Sequence, residues 1–125
     1  MGLDQWSFAV KKGCITTAVD FDTDGLEQEE VQYWRKHPNL EGWMEALYYK
    51  KGGTKDMFNC ATLLLTKEDF ESLKKDVEDG KLPTTEGFFF GDSSDDYYKK
   101  ETLEWIEKCF NLLRDGYDVY YSSWW

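Results

Sequence analysis

Alternation between apolar and polar positions near the start of the chain predicts a β-hairpin. Residues 6–10 alternate between aromatic or aliphatic side chains and small or polar ones, which is typical of a half-buried strand. Residues 14–19 are rich in β-branched side chains and follow a Lys-Gly pair that suits a tight turn. The pattern therefore predicts two paired strands, followed by an acidic loop over residues 20–30.

Apolar residues at helical spacing predict three amphipathic helices. The first begins at Pro38 and has apolar residues at i, i+3, i+4, i+7 and i+8 from Leu40. The second follows the sequence 66–69, which resembles a capping box with Asp in place of the usual Glu or Gln, and it ends at Gly80. The third spans roughly five turns, judged from the 3.6-residue period, and ends at Gly116.

Two further strands complete the predicted order of elements. Residues 60–65 form an apolar run too short for a helix, and the last nine residues begin as a strand. The order predicts one α+β domain over residues 1–125, with a small, mostly antiparallel sheet and about three helices packed on one face. We expect the apolar strand residues to lie against these helices: Trp6, Phe8, Val10, Leu63, Leu65 and Val119.

Composition narrows the classes of function. The chain has 125 residues, 25 acidic and 15 basic, and a formal net charge of -10. A field of this sign repels phosphate backbones and acidic membranes, which argues against general nucleic-acid binding and membrane attachment. The three cysteines match neither a disulfide framework nor a zinc pattern, and they predict reduced thiols in a cytoplasm.

The acidic loop carries a pattern related to calcium binding. Asp20, Asp22 and Asp24, followed by Gly25, have the oxygen spacing that opens a calcium loop. The twelfth position should be a bidentate Glu, and it is Val31 here. The loop is interpreted either as a solvated turn or as a weak, atypical cation site, and we expect weak calcium binding or none.

A basic and aromatic segment precedes the first helix and suggests an anion site: Trp34, Arg35, Lys36, His37 and Asn39. Free N–H groups at the start of a helix favour an anion. Arg35 would supply a planar fork, Lys36 a point charge and Trp34 a face for stacking. The alternative is that Trp34 packs in the core and Arg35 pairs with acids of the preceding loop.

Three successive phenylalanines stand between two glycines in the connection 82–96: Phe88, Phe89 and Phe90. Three neighbouring rings cannot all face one way, so some should be exposed or line a cleft, unless the segment is a buried strand. We expect them to complete, with residues 34–39, a pocket for a flat anionic ligand. The terminal pair Trp124-Trp125 has similar alternatives, a tail packed on the core or an apolar patch for a partner.

Several of these motifs together resemble a group of small accessory proteins carried by tailed bacteriophages, cyanophages among them. The resemblance lies in Met1-Gly2-Leu3-Asp4, Tyr33-Trp34-Arg35-Lys36, Leu82-Pro83 leading into Gly87-Phe88-Phe89-Phe90-Gly91, and the closing Tyr-Tyr-Ser-Ser-Trp-Trp. It implies a protein made in the host cytoplasm, and it transfers no activity or site residue. Relatives often have a different loop at residues 20–30, so the resemblance implies no calcium role shared by the group.

These observations predict a non-catalytic binding protein that acts on a host protein or on a small anionic host molecule. The sequence has no phosphate-cradling Gly-rich loop, nucleophile elbow or metalloprotease helix. One alternative is a small enzyme for a phosphorylated or nucleotide-like compound, with Arg35 and Lys36 as anion clamps and His37 as acid or base. Another is an acidic mimic of nucleic acid that occupies a host DNA-binding protein. We expect no cofactor other than a weakly bound calcium ion.

Overall fold

Four antiparallel strands form one sheet in the computed structural model, which describes residues 2–83, 85 and 95–125. The elements in chain order are β1 (Asp4–Lys11), β2 (Gln28–Arg35), α1 (Pro38–Lys50), β3 (Thr62–Leu65), α2 (Lys67–Glu78), α3 (Asp95–Arg114) and β4 (Tyr117–Trp124). The strand order in the sheet is β2-β1-β4-β3, and the three helices pack on one face. The predicted α+β class is confirmed. Among the described residues, no helix combines the length and apolar character needed to cross a membrane.

The hairpin predicted from residues 6–10 and 14–19 is wrong. β1 pairs with β2 on one side and with β4 on the other, both antiparallel. Residues 14–19 reach the sheet through one isolated bridge, between Val19 and Leu63 at the β3 edge. β2 lies where the sequence predicted a loop and the approach to a helix. β-Branched residues favour an extended backbone, but they do not determine which strand pairs with it. β2 and β4 have eight residues each, and both pair with β1 along most of its length.

The predicted helix boundaries follow their local signals. Pro38 lies in the first turn of α1, where its missing N–H costs nothing. Both hydrogen bonds of the capping box between Thr66 and Asp69 are present at the start of α2. The helices bury one side against the sheet, and the core they form contains Leu40, Met44, Tyr48, Phe70, Leu73, Val77, Trp105, Ile106 and Cys109.

Trp105 takes the central place on the inner face of α3. Its ring meets Trp34 of β2 edge to face, with 4.8 Å between the centroids, and Phe70 of α2 at 5.3 Å. Phe110 and Leu113, which also fall on the apolar side of this helix, are only half-buried and lie at the margin of the core. This margin faces α2 and bounds a cleft described below.

The side of β1 that faces the helices is the opposite of the predicted one. Gln5 and Ser7 are fully buried on the helix side, whereas Trp6, Phe8 and Val10 lie on the outer side of the sheet. Side chains of a strand alternate between the two faces of the sheet, so the face on which one side chain lies determines the face of every other. Here Gln5 faces the helices, where it is hydrogen-bonded to His37 and Tyr121, and Trp6 and Phe8 accordingly face outward.

A second, smaller core covers half of the outer face. Val10, Ile15 and Tyr120 form its centre, and Phe8, Phe21, Leu26 and Leu64 pack around them. Ile15, Phe21 and Leu26 all come from the connection between β1 and β2. That connection therefore closes one half of the outer face and leaves the half near the start of β1 and the end of β4 open.

Candidate functional site

Three of the five residues predicted to bind an anion before α1 are buried. Trp34 is enclosed in the helix-side core, as the alternative interpretation had it. His37 is 1% exposed, and its ring stacks on Tyr98 of α3 with 4.9 Å between the centroids. Asn39 is 4% exposed, and its Oδ1 accepts a hydrogen bond from the Thr85 N–H at 2.9 Å. The start of α1 is therefore covered by protein.

Arg35 and Lys36 point away from these buried neighbours. Arg35 is exposed, and its Nη1 lies 3.0 Å from Asp4 Oδ1 in β1. The Tyr33 hydroxyl donates to the same carboxylate oxygen, and this hydrogen bond raises the pKa of Tyr33. Lys36 is exposed at a positive φ of 60°. The structure thus separates the two cations from Trp34 and His37, and the acidic partner of Arg35 is Asp4, not the preceding loop.

The predicted phenylalanines Phe88, Phe89 and Phe90 lie outside the described residues. Two described residues that flank them in sequence contact the first turn of α1 and the end of β2. The Thr85 N–H donates to Asn39, and the Tyr98 hydroxyl donates to the carbonyl oxygen of Arg35. A ligand shared by the two segments stays a prediction.

A buried polar network connects β1, β4 and α1. Glu41 is 1% exposed, and its carboxylate accepts hydrogen bonds from the Tyr121 hydroxyl at 2.5 Å and the Ser123 hydroxyl at 2.8 Å. Gln5 Nε2 donates to the Tyr121 hydroxyl and to the His37 carbonyl, and its Oε1 accepts from the His37 N–H. Burial raises the pKa of Glu41 to about 7 and lowers the pKa of His37 to about 4. Both titratable groups are sealed from solvent.

The open half of the outer face presents three aromatic side chains. Trp6 is half-buried and lies beside Tyr33, with 5.8 Å between the ring centroids. Tyr33 is 41% exposed and Trp124 is 61% exposed. Trp6 pairs with Ser122 and Asp4 pairs with Trp124, which makes Trp6 and Trp124 diagonal neighbours on adjacent strands.

Trp6 and Trp124 border a groove of about 350 Å³ across this face, here called the outer groove. Its other lining side chains include Phe8, Thr62, Tyr120 and Ser122. These are aromatic rings and neutral hydroxyl groups. The outer groove therefore combines stacking surfaces with groups that both donate and accept hydrogen bonds.

The acidic loop 20–30 forms a wall of the outer groove, because Thr23 and Gln28 line it. The Phe21 ring meets Tyr120 edge to face at 5.2 Å, and the Tyr120 hydroxyl donates to Gln28 Oε1. These contacts fix both ends of the loop on the sheet. Its remaining acidic side chains are exposed: Asp22, Asp24, Glu27, Glu29 and Glu30. Glu30 pairs with Phe8 and faces the outer side, whereas Glu29 pairs with Ala9 and faces the helix side.

The aspartates of the calcium-like pattern do not converge. Asp20 Oδ2 accepts the Tyr48 hydroxyl at 2.6 Å, and Asp22 Oδ1 accepts the Asp24 N–H at 2.9 Å. Within residues 2–83, 85 and 95–125, no group of three His, Cys, Asp or Glu side chains is placed to hold a metal ion. Weak calcium binding or none stays a prediction.

Sequence reasoning missed Trp6 and Tyr33 as candidate site residues and left Trp124 between two alternatives. An alternating strand places its larger apolar side chains inward in most sheets, so Trp6 was expected in the core. The signal that could have corrected this is Gln5, an uncharged polar residue whose amide can be buried once its hydrogen bonds are made.

Comparison of the chain with protein-family models, with curated proteins and with solved structures finds no match.

Proposed function

We propose that the protein is a non-catalytic binding protein that holds a basic segment of a partner protein in the outer groove. The observation that carries this proposal is the position of two tryptophans, the half-buried Trp6 and the exposed Trp124, in a groove that the acidic loop 20–30 helps to line, with the exposed Tyr33 beside Trp6. The loop has six acidic residues and no basic one, so this side of the groove carries negative charge.

Cationic side chains suit both parts of this site. Guanidinium and ammonium groups are attracted to the faces of Trp and Tyr rings, with about 0.5 to 2 kcal/mol for each contact. Carboxylates of the loop can pair with the same cations. Trp and Tyr are also enriched among the residues that contribute most to protein interfaces. The net charge of -10 adds a long-range attraction that steers a basic partner to the surface.

Two further observations support binding in preference to catalysis, and a host partner. Burial shifts the pKa values of Glu41 and His37, but both side chains are only 1% exposed and neither lines the outer groove. The resemblance to accessory proteins of tailed bacteriophages supports a bacterial host protein as the partner and the host cytoplasm as the place of action.

Binding of two labelled twelve-residue peptides tests the proposal, one alternating Arg and Gly and the other alternating Glu and Gly. Fluorescence anisotropy at physiological ionic strength should show saturable binding of the Arg-Gly peptide alone. Replacing both Trp6 and Trp124 by Ala should weaken it about tenfold, because two cation–π contacts are lost. Tyr97→Ala is the matched control, because Tyr97 is 79% exposed on α3, away from the groove.

Charge requires its own control, because any basic peptide is attracted to a protein of this net charge. The double variant Glu27→Gln with Glu30→Gln should weaken binding of the Arg-Gly peptide more than Glu101→Gln with Glu104→Gln, because Glu30 pairs with Phe8 of the groove. Both pairs of acids are exposed, and both double variants change the net charge equally. Equal losses in the two variants, or equal losses in the aromatic variant and Tyr97→Ala, would show nonspecific attraction and refute the proposal.

A further inference from the structure

A second concave surface lies between α2 and α3, on a different side of the protein from the outer groove. It is a cleft of about 760 Å³, which falls within the usual range for small-molecule sites. α2 contributes Lys67, Glu71 and Lys74, and α3 contributes Glu107 and Phe110. The end of β3 and the start of β4 also line the cleft. The proposed function does not involve this cleft.

Part of the cleft lining is apolar. Its apolar lining consists of Leu64, Leu65, Phe110, Leu113 and Tyr117. Phe110 and Leu113 are half-buried at the margin of the core, so apolar surface remains open to a ligand. Such a surface favours the body of an aliphatic or aromatic molecule, at roughly 25 cal/mol for each Å² removed from water.

The charge around the cleft is opposite to that of the protein. Four basic side chains line it, Lys12, Lys67, Lys74 and Arg114, against three acidic ones, Glu71, Glu107 and Asp118. The whole chain has 15 basic and 25 acidic residues, so this local excess of cations departs from the general composition.

Two of the three acids in the cleft already have partners. Lys74 Nζ lies 2.7 Å from Glu107 Oε1, and this pair connects α2 to α3. Asp118 Oδ2 accepts a hydrogen bond from the Gly13 N–H at 3.2 Å. Lys12, Lys67 and Arg114 are exposed at the cleft, where cationic groups can meet an anion. Arg114 also donates to Asn111 Oδ1 and lies 3.7 Å from Asp115 Oδ1, an exposed ion pair that costs little to rearrange.

We propose that the cleft binds a small amphipathic anion, with its apolar body on the leucine and phenylalanine surface and its anionic group near Lys67 and Arg114. The occupant carries a carboxylate or a phosphate, because Lys and Arg bind both and the guanidinium fork of Arg fits two oxygen atoms of either. The proposal is independent of the outer groove, so either can fail without the other.

Titration calorimetry with four ten-carbon molecules tests the proposal. Decanoate and decyl phosphate carry the two anionic groups, 1-decanol is neutral, and decyltrimethylammonium is cationic. At least one anion should bind with a stoichiometry of one and at least about tenfold more tightly than decanol, the gain from a charge-assisted contact. The cation should bind more weakly than decanol. The anion that binds more tightly identifies whether the cleft prefers a carboxylate or a phosphate.

Charge-removing variants locate the binding of the anion in the cleft. Lys67→Gln and Arg114→Gln should each weaken binding of the preferred anion several-fold, while binding of decanol is unchanged. Lys100→Gln is the control, because Lys100 is exposed on α3 outside the cleft and its loss changes the net charge by the same amount. Decanol binding as tightly as both anions would overturn the proposal, and so would equal losses in all three variants. Thermal unfolding of each variant confirms that it is folded.

Discussion

On its helix side, β1 buries Gln5 and Ser7, whereas on its outer side it places Trp6 in the open half of the sheet. The same contrast continues into β4, where Ser123 is buried toward the helices and Trp124 is 61% exposed on the outer side. In this part of the sheet, polar side chains are inside and tryptophans are outside. The usual assignment of apolar residues to the core is therefore reversed for these two neighbouring strands.

Different physical requirements explain the two faces. On the helix side, Gln5, Tyr121, Ser123 and Glu41 satisfy one another's hydrogen bonds, and buried polar groups are tolerated under that condition. On the outer side, Trp124 is 61% exposed, Tyr33 is 41% exposed and Trp6 is half-buried, so all three rings remain partly in contact with water. Exposed apolar patches often mark the sites at which soluble proteins bind partners. We therefore place the function on this aromatic surface next to the acidic loop.

The largest effect should come from removing a tryptophan on each face. Trp34→Ala should lower the free energy of unfolding by about 3 to 5 kcal/mol, because Trp34 is fully buried and leaves a cavity. Trp124→Ala should lower it by less than about 1 kcal/mol, because most of this side chain is already in water. Urea unfolding followed by circular dichroism measures both. Similar losses in the two variants would mean that the outer tryptophan is part of the core.

Ionisation of Glu41 should give the next effect. Its pKa of about 7 in the folded protein lies above the ordinary value of 4.5, so the folded state retains a proton that the unfolded state releases. The stability that comes from this proton is fully present below about pH 4.5 and is lost as the pH rises to 7. Relative to Glu41→Gln, the wild type should therefore lose on the order of 2 kcal/mol across this interval.

His37 makes the opposite contribution and must be separated from that of Glu41. Its pKa of about 4 lies below the ordinary 6.5, so its contribution to stability is present above pH 6.5 and is lost as the pH falls toward 4. This contribution is common to the wild type and Glu41→Gln, and it cancels in their difference. A difference that does not vary between pH 4.5 and 7 would show that Glu41 is accessible to water.

The smallest stability effect compares two polar residues of the helix face. Gln5→Leu should cost about 1 to 2 kcal/mol, because it leaves the buried His37 N–H and the Tyr121 hydroxyl each without one partner. Ser7→Ala should change stability by less than about 0.5 kcal/mol, because Ser7 Oγ has no hydrogen-bond partner in the part of the chain that the structure describes. Equal effects of the two changes would contradict the role we assign to Gln5.

The helices could be predicted from the sequence because their signals are local. The proline at the start of α1, the capping box of α2 and the apolar spacing in both helices lie within a few residues of the elements that they specify. The partners of β1 could not be predicted in this way. β4 lies more than a hundred residues from β1 in the sequence. It pairs with β1 where the sequence predicted pairing with residues 14–19, and no local signal indicates this long-range contact.

The sequence indicated which residue types form the candidate site better than it indicated where those residues lie in the fold. The contrast between the acidic loop and the segment that follows it was visible in the sequence. The helix-side core encloses Trp34, however, whereas Tyr33 and Arg35, its neighbours in β2, lie on the outer side. Which side chains of this edge strand face outward follows from its register with β1.

The most direct test of the outer groove is nuclear magnetic resonance of the tryptophan indole groups during titration with the Arg-Gly peptide. The indole N–H signals of Trp6 and Trp124 should shift progressively and saturate, because both rings border the groove. The signals of Trp34 and Trp105 should stay unchanged, because both rings are buried on the other side of the sheet. Unchanged signals of Trp6 and Trp124, or equal shifts of all four, would contradict the assignment of function to the outer face.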